Sequence, residues 1–277
     1  MTTTSTVRGA ALLAAALVLS ACAGSGGAAA PAPSSAAPLP DGLVLQVALT
    51  GGYTTPEELA ARLPVVSVYG DGRVLTQGPQ IEIWPAPALP NVQVQQVDEA
   101  TVRDLVDRAV DAGVTESGDL GEPPLADVPT TRFTLVTDEG TAVREVYALA
   151  ETPAGSLTAE QAGARERLRG LVEALTSLDG ESEAYVPQTV AGVVRPYTGD
   201  PELPQPDVAW PGPALPGSPL GAGLTCVSAT GQQAADVLAA AASANALTPW
   251  VADDGSRWSV TLRPVLPHES GCTDLTG

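Results

Sequence analysis

The sequence predicts an α+β fold, with mixed or antiparallel sheets and helices packed on them. Two observations carry that expectation. Three pairs of apolar, β-branched runs are joined by short turns containing Gly, at Asp71-Gly72, Asp138-Glu139-Gly140 and Asp254-Gly255, which is hairpin chemistry. Four stretches with apolar residues at helical spacing are each preceded by an N-capping residue, at Thr55, Asp98, Thr158 and Thr230.

Taken in order, the chain opens with a short segment whose only charge is Arg8, followed by the apolar run Gly9 to Leu19. That run falls short of the ~20 residues a membrane-spanning helix needs and has the form of a signal peptide core. It ends in Leu19-Ser20-Ala21-Cys22, which looks like a bacterial lipobox, so 1–21 reads as a signal peptide and Cys22 as the lipidated first residue. A diacylglyceryl thioether supplies two acyl chains, enough for stable attachment to a membrane, whereas one chain binds only marginally. Residues 22–40 are then the lipidated Cys and its tether. The stretch 23–40 is small, Pro-rich and uncharged, cannot bury a core, and extends to roughly 55–60 Å.

Leu43 to Ala48 reads as a strand. Thr55-Pro56-Glu57-Glu58 starts a short helix through an N-cap, a Pro in the first turn and a capping-box Glu, and Pro64 stops it. Val65 to Tyr69 and Arg73 to Thr76 form the first hairpin. Asp98 caps a helix with an apolar stripe of Val102, Leu105, Val106 and Ala109, closed by Gly113. Arg132 to Thr137 and Ala142 to Leu149 form the second hairpin. Thr158 and Gln161 open a third helix that buries Leu168, Leu171, Val172, Leu175 and Leu178, with Arg165, Arg167 and Arg169 on its solvated side. Tyr185 to Pro196 reads as a strand that completes an N-terminal α+β domain over 41–198.

Residues 199–220 hold seven prolines and no periodicity, and read as a linker. A C-terminal module over 221–277 follows. It has a strand from Gly223 to Ser228, a helix opening at Thr230 and Gln233, and a hairpin from Trp250 to Arg263 on which Trp258, Val260 and Leu262 alternate. Trp84-Pro85-Ala86-Pro87-Ala88-Leu89-Pro90 recurs as Trp210-Pro211-Gly212-Pro213-Ala214-Leu215-Pro216, identical at six of seven positions. Each copy leads into strand, capped helix and hairpin, so either a βαββ unit is duplicated or abundant Pro and Ala produced the match. The motif reads as a stiff connector with its Trp packed on its own domain, or as exposed aromatic surface for an extended ligand.

Composition narrows the function classes. Removing 1–21 takes away Arg8 and no acid, so 13 cations become 12 and the net charge moves from −19 to −20 against 32 acids; there is no Lys. Without a basic patch the chain is a poor partner for nucleic acid, and its body is repelled by anionic lipid head groups. Beyond Cys22 two cysteines remain, Cys226 and Cys272, and in an oxidising compartment an isolated pair is most simply a disulfide. A single His, His268, is expected near that disulfide and exposed. Neither a G-x-S-x-G elbow in the folded region nor an H-E-x-x-H or phosphate-binding loop occurs, so no catalytic, cofactor or metal residues are assigned. The Asp-rich turns lack the ligand spacing of a calcium loop.

The stretch Trp250…Asp254-Gly255…Trp258…Arg263-Pro264-Val265-Leu266-Pro267…Cys272 and the hairpin Tyr69-Gly70-Asp71-Gly72-Arg73 resemble a group of uncharacterised actinobacterial envelope lipoproteins. The resemblance spans most of 41–277. It implies a lipid-anchored position on the extracytoplasmic face of the cell membrane and brings no activity with it. The leading expectation is a non-enzymatic binding or scaffold protein whose partners are the membrane, through its anchor, and an envelope protein or ligand. The alternative is an extracytoplasmic hydrolase using paired carboxylates; a transporter's solute receptor fits the element pattern less well.

Overall fold

The computed structural model describes residues 38–151 and 155–275, which form one compact unit from Pro38 onward. The expected signal peptide over 1–21 and the expected lipidation residue Cys22 lie outside the described residues.

Six of the seven strands of the first sheet come from residues 43–147. Strand β1 (Leu43–Gly51) is followed by α1 (Pro56–Ala61), where Thr55 and Glu58 make the expected capping box. Then come β2 (Val66–Tyr69), β3 (Arg73–Gln77) and β4 (Val92–Gln96). Helix α2 (Glu99–Asp111), capped by Asp98, leads to the hairpin β5 (Pro129–Thr137) and β6 (Gly140–Tyr147). Helix α3 (Ala159–Thr176), with its Thr158–Gln161 capping box, ends at the short β7 (Ser182–Ala184). The seven strands run β6-β5-β1-β2-β3-β4-β7, every neighbour antiparallel.

That order explains the helices. The connection from β4 to β5 passes three intervening strands, and the one from β6 to β7 runs from edge to edge. Both need an element lying across a face, which α2 and α3 supply. Val102, Leu105 and Ala109 of α2 and Leu168, Leu171 and Leu175 of α3 pack on Val47, Phe133, Leu135 and Val146. Val172 and Leu178 are partly buried at the margin of the same cluster.

One expectation for α3 is corrected. Arg165 is fully buried, with Nη1 donating to Leu120 O (3.2 Å) and Nη2 to Tyr147 O (2.7 Å) and Ala148 O (2.6 Å). The stretch between α2 and β5 has little regular structure, and its buried carbonyls need donors from elsewhere. Arg144, also buried, serves the same loop through Glu116 O and Gly118 O. Only Arg167 and Arg169 keep the solvated position.

The second sheet comprises β8 (Thr189–Pro196), β9 (Val208–Ala209), β10 (Ser218–Gly221), β11 (Leu224–Thr230), β12 (Trp250–Val251) and β13 (Arg257–Pro264). Helix α4 (Gly231–Ala241) follows β11; Thr230 precedes it without donating or accepting a side-chain cap bond. The order is β10-β11-β8-β13-β12-β9, antiparallel except for β9 beside β12.

This arrangement differs from the expected division. The strand expected over Tyr185 to Pro196 is present as β8, starting at Thr189, but it does not complete the first sheet: it lies inside the second, between β11 and β13, while β7 just before it ends the first. The stretch 199–220 is not a free linker either. It contributes β9 and β10 at the two edges, where Pro219 costs no ladder bond to a second neighbour. It also buries Trp210 edge-on against Trp250, ring centroids 5.3 Å apart.

The repeated motif separates into two behaviours. Trp210 is 8% exposed and donates from its indole nitrogen to Pro213 O (2.7 Å), whereas Trp84 is 72% exposed. The first copy still reaches the second sheet. Ala88 and Leu89 pack into the cluster around Trp210, and Ala246 N donates to Ala86 O (2.8 Å). Strands β4 and β5 are separated by three others, and their counterparts β11 and β12 by two, so the two βαββ runs share element order along the chain but not strand order in space.

Candidate functional site

The two sheets meet where the β13 tail crosses onto the first sheet. Successive residues of a strand point to opposite faces. Val47, Phe133 and Leu135 therefore face the helices, while Gln46, Ala48, Arg132 and Thr134 face away, and the register pairs Gln46 with Thr134 and Ala48 with Arg132. Opposite this face lie the tail residues Arg263, Glu269, Asp274 and Leu275 and the β10–β11 turn, with α1 closing one end. The space between is a cleft of about 600 Å³. That lies inside the ~300–1,000 Å³ range of small-molecule sites.

The tail is held firmly. Buried Arg263 and largely buried Glu269 form a bidentate pair at 2.6 and 2.7 Å, and Glu269 Oε2 also accepts from Leu266 N (2.8 Å). Leu266 packs with Leu63, Tyr69, Leu75 and Val92 of the first sheet. Tyr185 donates its hydroxyl to Val265 O (2.9 Å). The disulfide joins Cys226 of β11 to Cys272, Cα atoms 5.9 Å apart, so the tail is tied covalently to the second sheet and by side chains to the first.

His268 is exposed, as expected, but its neighbours are on the first sheet. Its Nδ1 lies 2.7 Å from Tyr69 Oη and its Nε2 3.2 Å from Gln46 Nε2. The amide nitrogen of Gln46 is a donor, so a neutral His268 accepts at Nε2 and donates from Nδ1 to the tyrosine. Although the residue is exposed overall, its ring nitrogens are desolvated against Tyr69 and Gln46, and this, opposed by the charge of Glu269, holds the imidazole below its usual pKa. Burial, reinforced by Glu269, pushes the Tyr69 phenol well above its usual range. Both groups therefore stay neutral near pH 7, which favours a latch over an acid–base pair.

The other acid lining the cleft is occupied as well. Asp274 Oδ2 accepts from Ser270 Oγ and Ser270 N, both at 2.7 Å, which keeps its pKa low. Asp71 pairs with Arg73, and Asp254 accepts from Ser256, so these turns use their carboxylates locally. Among the described residues no group of three His, Cys, Asp or Glu side chains is placed to hold a metal ion. Also among them, no helix is long and apolar enough to cross a membrane.

Three arginines line the cleft. Arg263 is neutralised by Glu269. Arg62 is positioned by Nη1, which donates to Gly51 O (2.8 Å) and Leu49 O (3.3 Å). Arg132 has only a loose contact with Glu145, at 3.9 Å. Sequence reading missed all three, because each lies on a different element with no common spacing.

No known protein-family model matches the chain, and no curated protein is significantly similar to it.

Proposed function

We propose that the mature chain is a lipid-anchored binding protein on the extracytoplasmic face of the cell membrane, with the intersheet cleft as its ligand site. The observation that carries the binding role is the cleft itself. It is open, built on two rigid sheets, and its two carboxylates are already engaged, Glu269 by Arg263 and Asp274 by its own turn. A hydrolase working through paired carboxylates needs acids free to exchange protons with substrate and water, so this engagement favours binding over that alternative. The envelope position is supported by the lipobox ending at Cys22 and by the Cys226–Cys272 bond, which suits an oxidising compartment.

Two measurements test the reading. Cys22→Ala is expected to move the protein from the membrane fraction to the soluble one; unchanged membrane retention would refute the anchor. Native mass spectrometry of chain extracted from the envelope should show a noncovalent ligand mass that Leu59→Glu, at the cleft rim, abolishes. Bare protein in every preparation would refute the ligand site.

A further inference from the structure

We infer that the cleft takes an aliphatic amphiphile with an acidic head group, a carboxylate or a phosphate. The inference rests on the binding reading above and adds the class of ligand. The apolar wall is built from Leu59, Leu63, Leu220, Leu224 and Leu275, and no aromatic ring lines the cleft among the described residues. Such a wall offers dispersion contact to an alkyl chain and no stacking platform to a flat ring.

The polar wall supplies the charge. With Arg263 and Glu269 cancelling each other, Arg62 and Arg132 remain against Asp274. Asp274 turns one oxygen to Ser270 and Gly271 within its own helical turn. Arg62 is held in place by Nη1 alone, which leaves its Nε and Nη2 without a hydrogen-bond partner among the described residues. A guanidinium positioned in this way suits an oxyanion, since planar donors meet carboxylate or phosphate oxygens in pairs. The lining thus carries three arginines against two acids on a chain of net charge −19, with Glu145 (3.9 Å from Arg132) and Glu58 (beside Arg62) outside it as the acids an incoming anion competes with. Head group to the arginines and chain along the leucines is the one orientation that satisfies both walls.

The test uses the full mature chain carrying Cys22→Ala, titrated calorimetrically below the micelle threshold with decanoate, decyl phosphate, decanol and acetate. Decanoate or decyl phosphate is expected to bind about ten-fold tighter than decanol, the scale of one charge-assisted contact. Acetate, lacking the chain, should not bind measurably. Arg62→Gln combined with Arg132→Gln should bring the acidic probes to within about two-fold of decanol while leaving decanol unchanged. Leu59→Glu should weaken all three alkyl probes. Preference for decyl phosphate points to a lipid head group as the source, and preference for decanoate to a free fatty acid.

Equal binding of decanol and the acids, or a double variant Arg62→Gln with Arg132→Gln that keeps the difference, would overturn the acidic class and leave the cleft as a binding site. No binding of any probe, by a chain that nevertheless leaves the envelope carrying a ligand mass, would overturn the class alone. No probe bound and no ligand mass would overturn both readings.

Discussion

The two sheets reach stability by different routes. The first is covered by two helices whose leucines and valines meet those of β1, β5 and β6 in one aliphatic cluster, all drawn from residues 44–175. The second borrows. One of its faces needs Ala88 and Leu89 from the loop before β4, and the other needs Ala60 and Ala61 of α1, with Glu57 of α1 also pairing to Arg195 at 2.7 Å. It adds the Trp210–Trp250 contact and the Cys226–Cys272 bond. Where a sheet cannot supply enough apolar area from its own segment, distant segments, large indoles and a covalent tie make up the difference.

The sharpest way to break the comparison is at the seam. Glu269→Ala leaves Arg263 buried without its partner and should destabilise the chain by about 3–5 kcal/mol in urea unfolding. Arg263→Met with Glu269→Leu should recover most of that loss, because the desolvation cost of both charges disappears. Removing the disulfide as Cys226→Ala with Cys272→Ala releases a bond spanning 46 residues and should cost about 4 kcal/mol. Hydrogen exchange would locate the effect: amides of β8, β11 and β13 should open first, while β1 and β5 keep their protection.

The paired motif gives an internal control. Trp210→Ala should cost about 3–5 kcal/mol, since the indole fills the second core. Trp84→Ala, at the matching position of the other copy, should change stability by less than about 0.5 kcal/mol, since that ring lies in solvent. Equal costs would show that the first copy packs in a way the exposed ring does not reveal.

The smallest effect is expected from pH. The folded pKa of His268 lies below its usual value, so the unfolded chain binds the proton more readily. The contribution of the neutral ring is complete above about 6.5 and is lost as pH falls through the interval below it. Unfolding measured between about pH 5 and 7.5 should show a shallow decline on the acid side that His268→Gln removes. Glu58, Asp98, Asp254 and Asp274 are held by their hydrogen bonds below the usual carboxylate range and so titrate below this window.

How much was legible in advance follows from the range over which each signal acts. The three hairpins, the α1 and α3 capping boxes and the leucines of α3 are written within a few neighbouring residues, and all occur where expected. The Cys226–Cys272 pairing followed from simple counting once Cys22 was set aside. Arg165 was misread because a charged residue on a helix is usually solvated. Only the fold shows that a loop's carbonyls surround it. The 199–220 stretch was misread because proline density marks both linkers and edge strands, and the difference is whether a core waits beside Trp210.

Local chemistry in the sequence determined the hairpins, the four helices and the α+β class, because caps, turns and strand alternation act between residues close in the chain, and the count of cysteines determined their pairing. Tertiary structure alone decided that β8 joins the second sheet, that the β13 tail crosses to the first, and that Arg62, Arg132 and Arg263 share one cleft. Those outcomes depend on which apolar faces cover one another, a matter settled between segments too far apart in the chain for any short pattern to record.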